Sequence, residues 1–210
     1  MVAVSMVIDN LKFVFVSKLT GKLEGFKAIN TNPLSNEFCM RMYGSVKNII
    51  CKGCYSIKAS LGVRQSMVPA LERNSVLLSG QPLIDQQIPR FLERFVRIHA
   101  HGELINQTHM NNLMLIVKAN PHTTFAMWTK RVTITNKYFD TYGKPENLLM
   151  VFSNSHLDRI MDTPPKYFDK TFNNVTKGST VVQNCTGQKC KDCLLCYTEN
   201  DTKTIIEMKK

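Results

Sequence analysis

The chain has 210 residues, 43% of them hydrophobic, and a formal net charge of +11. The hydrophobic share supports an ordinary globular core and argues against disorder, and the length suits one domain with a small appendage. The longest apolar runs, LMLIV and LLMVF, are far too short to cross a bilayer, so no membrane partner is expected.

In chain order, the opening MVAVSMVIDNLKFVFVSKL carries no basic n-region, no unbroken apolar h-region and no small-residue cleavage site, which places the expected location in the cytoplasm. Residues 2–8, 11–16 and 25–29 read as extended segments. Asn32-Pro33 and Ser35-Asn36 mark a turn, and a loop bearing Cys39, Cys51 and Cys54 follows. Tyr55–Leu61 and residues 65–78 show helical spacing, with Met67, Leu71 and Leu78 among the apolar positions. Gly80-Gln81-Pro82 breaks that pattern, and residues 83–93 read as a further helix.

A regular alternation then begins. Residues 95–100 (FVRIHA) predict a strand and 109–119 a helix closed by Asn120-Pro121. Residues 123–129 (TTFAMWT) predict a strand, 136–142 a short helix, and 148–153 (LLMVFS) a third strand. Strands alternating with helices at this spacing argue for βαβ units and a parallel sheet, open or curled into a partial barrel. The expected organisation is an α/β unit over residues 1–165 and a cysteine-rich segment over 166–210 packed on it.

In such folds ligands sit beyond the carboxyl ends of the strands. Those ends carry His99, His101, Gly102 and Glu103 on the first strand, Thr129 and Lys130 on the second, and Asn154 on the third. His99, His101, Glu103 and Lys130 are therefore candidate catalytic groups, and Gly102, Glu103 and Asn154 candidate cofactor-binding groups.

The seven cysteines fall into two groups with none between residues 55 and 184. An odd count in a chain of this length fits a disulfide framework poorly, because stapled secreted domains are usually under about 100 residues with paired cysteines. Metal or cluster ligation is the expected use. The second group, Cys185, Cys190, Cys193 and Cys196, packs four thiols into twelve residues with an unbroken CxxCxxC. Structural zinc needs two knuckles a dozen or more residues apart, so zinc is the alternative here and an iron–sulfur cluster the preferred reading. The first group offers three thiols, which leaves one coordination position open; the other reading keeps only Cys51 and Cys54 as a pair.

Lys and Arg are spread along the chain rather than massed in one block. The +11 charge would attract nucleic acid or a small anionic ligand, although no recognition-helix pattern, zinc-finger spacing or aromatic RNA motif accompanies it. A zinc-stabilised nucleic-acid-binding module without catalysis is the alternative function. Nothing in the sequence sets the oligomeric state.

Two resemblances follow from these residues. CKGCY (Cys51–Tyr55) resembles the end of the three-cysteine loop of radical S-adenosylmethionine enzymes, and His101-Gly102-Glu103-Leu104 resembles a degenerate form of their GGEP motif. This resemblance covers residues 25–155. It implies a partial (βα) barrel, a 4Fe–4S cluster on Cys39, Cys51 and Cys54, and S-adenosylmethionine on its open iron with the Gly-Glu motif at its amino group. The eleven residues between Cys39 and Cys51, His101 in place of glycine and Leu104 in place of proline depart from that pattern.

The chain also resembles a phage family known as gene product eighty-eight. The shared features are the Asn-x-Pro and CxxCY loop, Arg73-Asn74 at a helix end, His99–Glu103, Thr129-Lys130, and a terminal cysteine cluster ending in Cys196-Tyr197. That resemblance implies a bacteriophage origin and a bacterial host cytoplasm, and no established activity. One or two 4Fe–4S clusters with redox activity are the resulting expectation.

Overall fold

Three of the expected strands form the middle of a seven-stranded sheet. It appears in a computed structural model that describes residues 12–47 and 49–209. The strands are β1 (Val16–Lys18), β2 (Lys27–Ile29), β3 (Phe95–Ile98), β4 (Thr124–Thr129), β5 (Leu148–Leu157), β6 (Lys170–Val175) and β7 (Thr204–Met208). Their spatial order is their chain order; β1 and β2 are antiparallel, and every later neighbour is parallel. The helices are α1 (Glu37–Tyr43), α2 (Tyr55–Leu61), α3 (Val68–Gly80), α4 (Gln107–Lys118), α5 (Val132–Tyr142) and α6 (Cys190–Cys193).

Parallel strands joined by helices are covered on both faces and read as near-continuous apolar runs, which is why TFAMWT and LLMVF lack a clean alternation. One face carries Ile29, Val96, Ile98, Phe125, Met127, Leu148 and Met150 against side chains of α3, α4 and α5. The opposite face carries Ala126, Trp128, Leu149 and Val151 under Phe26 and Tyr197. The helices thus cover one side and the cysteine-rich C-terminal segment covers the other. Residues 166–210 supply β6 and β7 as well as the cysteine turn.

α4 is built from its caps inward. Asn106 Oδ1 accepts from His109 N at 2.8 Å, which satisfies one free donor of the first turn. Lys118 sits in the last turn, where the helix dipole favours a cation. Met110, Leu113, Met114, Ile116 and Val117 between them are fully buried.

The expected helix over residues 83–93 does not form. Pro89 lacks a backbone N–H and crowds the preceding turn, so only a single 3-10 turn, Asp85–Gln87, survives. Side chains on α4 and beyond take over its backbone donors: Leu83 N donates to Asn112 Oδ1 at 2.9 Å and Phe91 N to Asn120 Oδ1 at 2.8 Å. The helix expected from residue 65 starts properly at Val68, with Pro69 in its first turn, where a missing N–H costs nothing. α5 begins four residues earlier than expected and β5 runs four residues further. Residues 2–8 lie outside the described residues. Of the extended segment at 11–16, residue 11 also lies outside them, and among residues 12–16 only Val16 joins the sheet.

Among the described residues no helix is long and apolar enough to cross a membrane.

Asn112 accepts from Leu83 N and donates to Leu78 O and Gln81 O, both at 2.8 Å, from a fully buried position. Asn112→Ala strands those groups, so urea unfolding is expected to show a loss of about 2–3 kcal/mol with an unchanged m-value.

Candidate functional site at the strand ends and the cysteine turn

An asparagine-rich run after β2 fixes the first cysteine loop. Asn30 Oδ1 accepts from Ala100 N at 2.8 Å and His101 N at 2.9 Å, tying β2 to the end of β3. Asn36 caps α1 by accepting from Cys39 N at 3.3 Å, while its Nδ2 donates to Glu103 O at 3.0 Å. Cys39 therefore lies in the first turn of a helix pinned to the end of β3. Cys51 and Cys54 bracket the tight turn Ile50–Gly53, with Cys54 N donating to Cys51 O at 3.0 Å, and Ile49 bridges to His156 on β5.

Cys39 and Cys51 lie within electrostatic reach of Cys54, Glu103 and Lys130. Burial raises the Cys39 thiol well above its ordinary range, with Glu103, Cys54 and Cys51 adding to the rise and Lys130 opposing it. Burial raises Cys51 too, again against Lys130. A buried thiol ionises only when a cation compensates it, so a bound metal would release these protons. The Lys130 ammonium donates to Ser153 Oγ at 2.5 Å.

The other strand-end residues hold the scaffold together. Glu103 is 5% exposed, and its carboxylate accepts from Thr129 Oγ1 at 2.5 Å, Leu104 N at 2.8 Å and Lys130 N at 2.9 Å. Those bonds join the end of β3 to the end of β4. Gly102 has φ +81, and a Cβ there would collide with the Thr31 side chain and carbonyl, so glycine is demanded by close packing. Asn154 donates to Asn173 Oδ1 at 2.8 Å and Arg159 O at 2.7 Å, and accepts from His156 N at 3.0 Å.

Three buried histidines, His99, His101 and His109, are held below the ordinary imidazole range. Arg64 Nη1 can only donate, so His101 Nε2 accepts from it at 3.0 Å and Nδ1–H donates to Ser56 Oγ at 2.7 Å. Burial, with Arg64 and Arg97 nearby, pulls His101 down to about 4. His99, at φ 64, donates from Nδ1 to the Trp128 carbonyl at 3.1 Å. His109, not singled out by the sequence, accepts at Nδ1 from Ile105 N at 3.2 Å. Burial lowers both, and among the described residues neither Nε2 has a partner.

The second cysteine group sits on the sheet face opposite the helices. Cys185, Cys190, Cys193 and Cys196 line one concavity with Gln188 and Tyr197. Leu194 in the left-handed region ends α6 and lets the chain turn back, and Tyr197 N closes the turn onto Leu194 O at 2.8 Å. Tyr197 is 1% exposed and stacks on Phe26 at 4.4 Å, anchoring the turn to the sheet. Lys22 Nζ lies 3.5 Å from Cys185 Sγ and pairs with Glu207. Burial pushes Cys196 up to about 12, opposed by Arg97, and raises Cys190 against Lys22 and Arg97. All seven cysteines are free. Among the described residues, no three His, Cys, Asp or Glu side chains stand close enough to hold a metal ion as the side chains are placed.

The fold and its two thiol groups define a cysteine-rich, mainly parallel α/β protein. The family model described as Gene product 88 matches residues 12–183, and the chain belongs to that family. The matched span holds the first cysteine loop and all three strand ends and stops before Cys185. No curated protein and no solved structure matches the chain.

The pH dependence of stability follows from the histidines. Their folded-state values lie below the ordinary 6.5, so below that pH the unfolded chain binds protons that the folded chain refuses. The histidine contribution to stability is therefore full above 6.5 and falls as pH drops toward 4. His101 alone accounts for roughly 3 kcal/mol of that fall, and urea titrations with His101→Gln are expected to show a visibly flatter decline.

Proposed function

We propose that the protein is a phage-type iron–sulfur protein with two centres, one on Cys39, Cys51 and Cys54 and one on Cys185, Cys190, Cys193 and Cys196. The observation that carries this reading is the lining of a single concavity by all four C-terminal thiols. The compact Cys185-x4-Cys190-x2-Cys193-x2-Cys196 run favours the larger inorganic core, whose corners spread the anchoring points. Free thiols throughout fit a reducing compartment such as a bacterial cytoplasm. A bound cluster would supply one-electron redox chemistry, its potential set by ligands, hydrogen bonds and burial.

The sequential strand order, with helices on one face, is the winding that curls into a partial (βα) barrel, whose ligand sites lie at the carboxyl strand ends. The three-thiol loop stands at that position. Lys130 supplies a cation beside Cys39 and Cys51, suited to a small anionic ligand. Glu103, which the radical-enzyme resemblance would assign to the amino group of S-adenosylmethionine, has its carboxylate filled by Thr129, Leu104 and Lys130. No step through S-adenosylmethionine follows from these residues.

Anaerobically purified protein is expected to be brown and to contain iron and acid-labile sulfide. Cys51→Ala and Cys193→Ala should each lose one centre and keep the other. Colourless protein holding stoichiometric zinc overturns the reading in favour of a zinc-stabilised nucleic-acid-binding module. Production of 5′-deoxyadenosine from S-adenosylmethionine by the reduced protein would restore the radical reading despite Glu103.

A further inference from the structure

Two cations, Arg97 and Lys170, stand on the sheet face opposite the helices. Register places Arg97 on β3 between Ala28 and Ala126, two small residues that leave room for its guanidinium. That group lies over the Trp128 ring at 3.8 Å, and its Nε is sealed from solvent without a hydrogen-bond partner among the described residues. Two strands from Trp128 in the same register row, past Val151, stands Lys170 on β6. Lys170 is 1% exposed and donates only to neutral groups, Asn200 Oδ1 at 2.7 Å and Thr202 O at 2.9 Å. Among the described residues neither cation forms an ion pair with a carboxylate. The third cation at this face, Lys22, is already matched by Glu207.

A covered, unpaired cation is costly, and proteins retain one where an anion meets it. Arg97 and Lys170 share one electrostatic neighbour, the Cys196 thiol, and Arg97 also acts on Cys190; Arg97 further meets the Tyr197 and Tyr55 hydroxyls, and Lys170 feels the Asp169 and Glu199 carboxylates. Four thiolates around a divalent core leave two negative charges, which cations on this face would offset. We infer that Arg97 and Lys170 are the built-in counter-charges of a dianionic four-thiolate centre on Cys185, Cys190, Cys193 and Cys196. This rests on the reading of those cysteines as ligands, and it assigns positioning and tuning roles to two residues outside the cysteine motif.

A cation beside the centre favours its reduced, more negative form. Removing it should lower the reduced-to-oxidised ratio at a fixed poise about tenfold, a shift of about 59 mV for one electron. The experiment uses the full chain, reconstituted anaerobically with iron and sulfide, in wild-type, Arg97→Met, Arg97→Lys, Lys170→Met and Lys170→Arg forms. Metal and sulfide content and a redox titration are read for each, along with urea unfolding of the metal-free chains. The expected result is a more negative potential in both methionine variants and recovery in the conservative ones. The metal-free methionine variants should be at least as resistant to urea as wild type, an opposite sign that a purely structural role would not give. Lys170→Met decides the matter if Arg97→Met fails to fold. Loaded variants with wild-type potential overturn the counter-charge assignment and leave the cluster reading intact. Wild-type protein that takes up no metal overturns both.

Discussion

A parallel sheet joined by helices has to bury both of its faces, and in this protein the two faces are covered by different means. Chain-order winding puts α3, α4 and α5 on one side, where they build the larger apolar cluster. The other side would be open were it not for the C-terminal segment, which lays Tyr197 on Phe26 and brings Cys190 and Cys196 onto the sheet. The cysteine turn is thus a covering element as well as a group of four thiols. Its four thiols line one concavity where the turn passes over the strands.

The polar end of the sheet is held in a different way. Asn30, Asn36 and Glu103 cross-link the ends of β2, β3 and β4 through hydrogen bonds that close off nearly all their polar atoms. A buried carboxylate accepting three donors is a stable structural knot, because each donor would otherwise be stranded in a dry environment. His-Ala-His-Gly-Glu has the composition of a ligand motif, but the motif is largely occupied by its own scaffold. Left exposed to chemistry beside that knot are the Cys39, Cys51 and Cys54 thiols and the Lys130 ammonium.

Charge organises the two thiol groups. Burial raises Cys39 and Cys51 in the first group and Cys190 and Cys196 in the second, and each group has cations close by that lean the other way: Lys130 at the first, Lys22 and Arg97 at the second. Some of the +11 net charge therefore lies inside the molecule, facing sulfur, and is not available as a surface field for nucleic acid.

The sequence by itself determined the βαβ alternation from residue 95 to 153, the grouping of seven cysteines into three and four, and the polar character of the strand ends. Those properties are local: period, spacing and composition are visible within a dozen residues. It did not reveal β6 and β7, whose short mixed runs, KTFNNV and TIIEM, become strands only by adding to an existing sheet edge. It wrongly gave residues 83–93 to a helix, because the asparagines that capture their backbone donors come from positions 112 and 120. Arg97 and Lys170 looked like any other basic residues. Only the register, which aligns Ala28 with Arg97 and Val151 with Lys170, put them on the covered face beside the thiols. Pairing between distant segments is decided by the packing of whole elements, and no local pattern carries it.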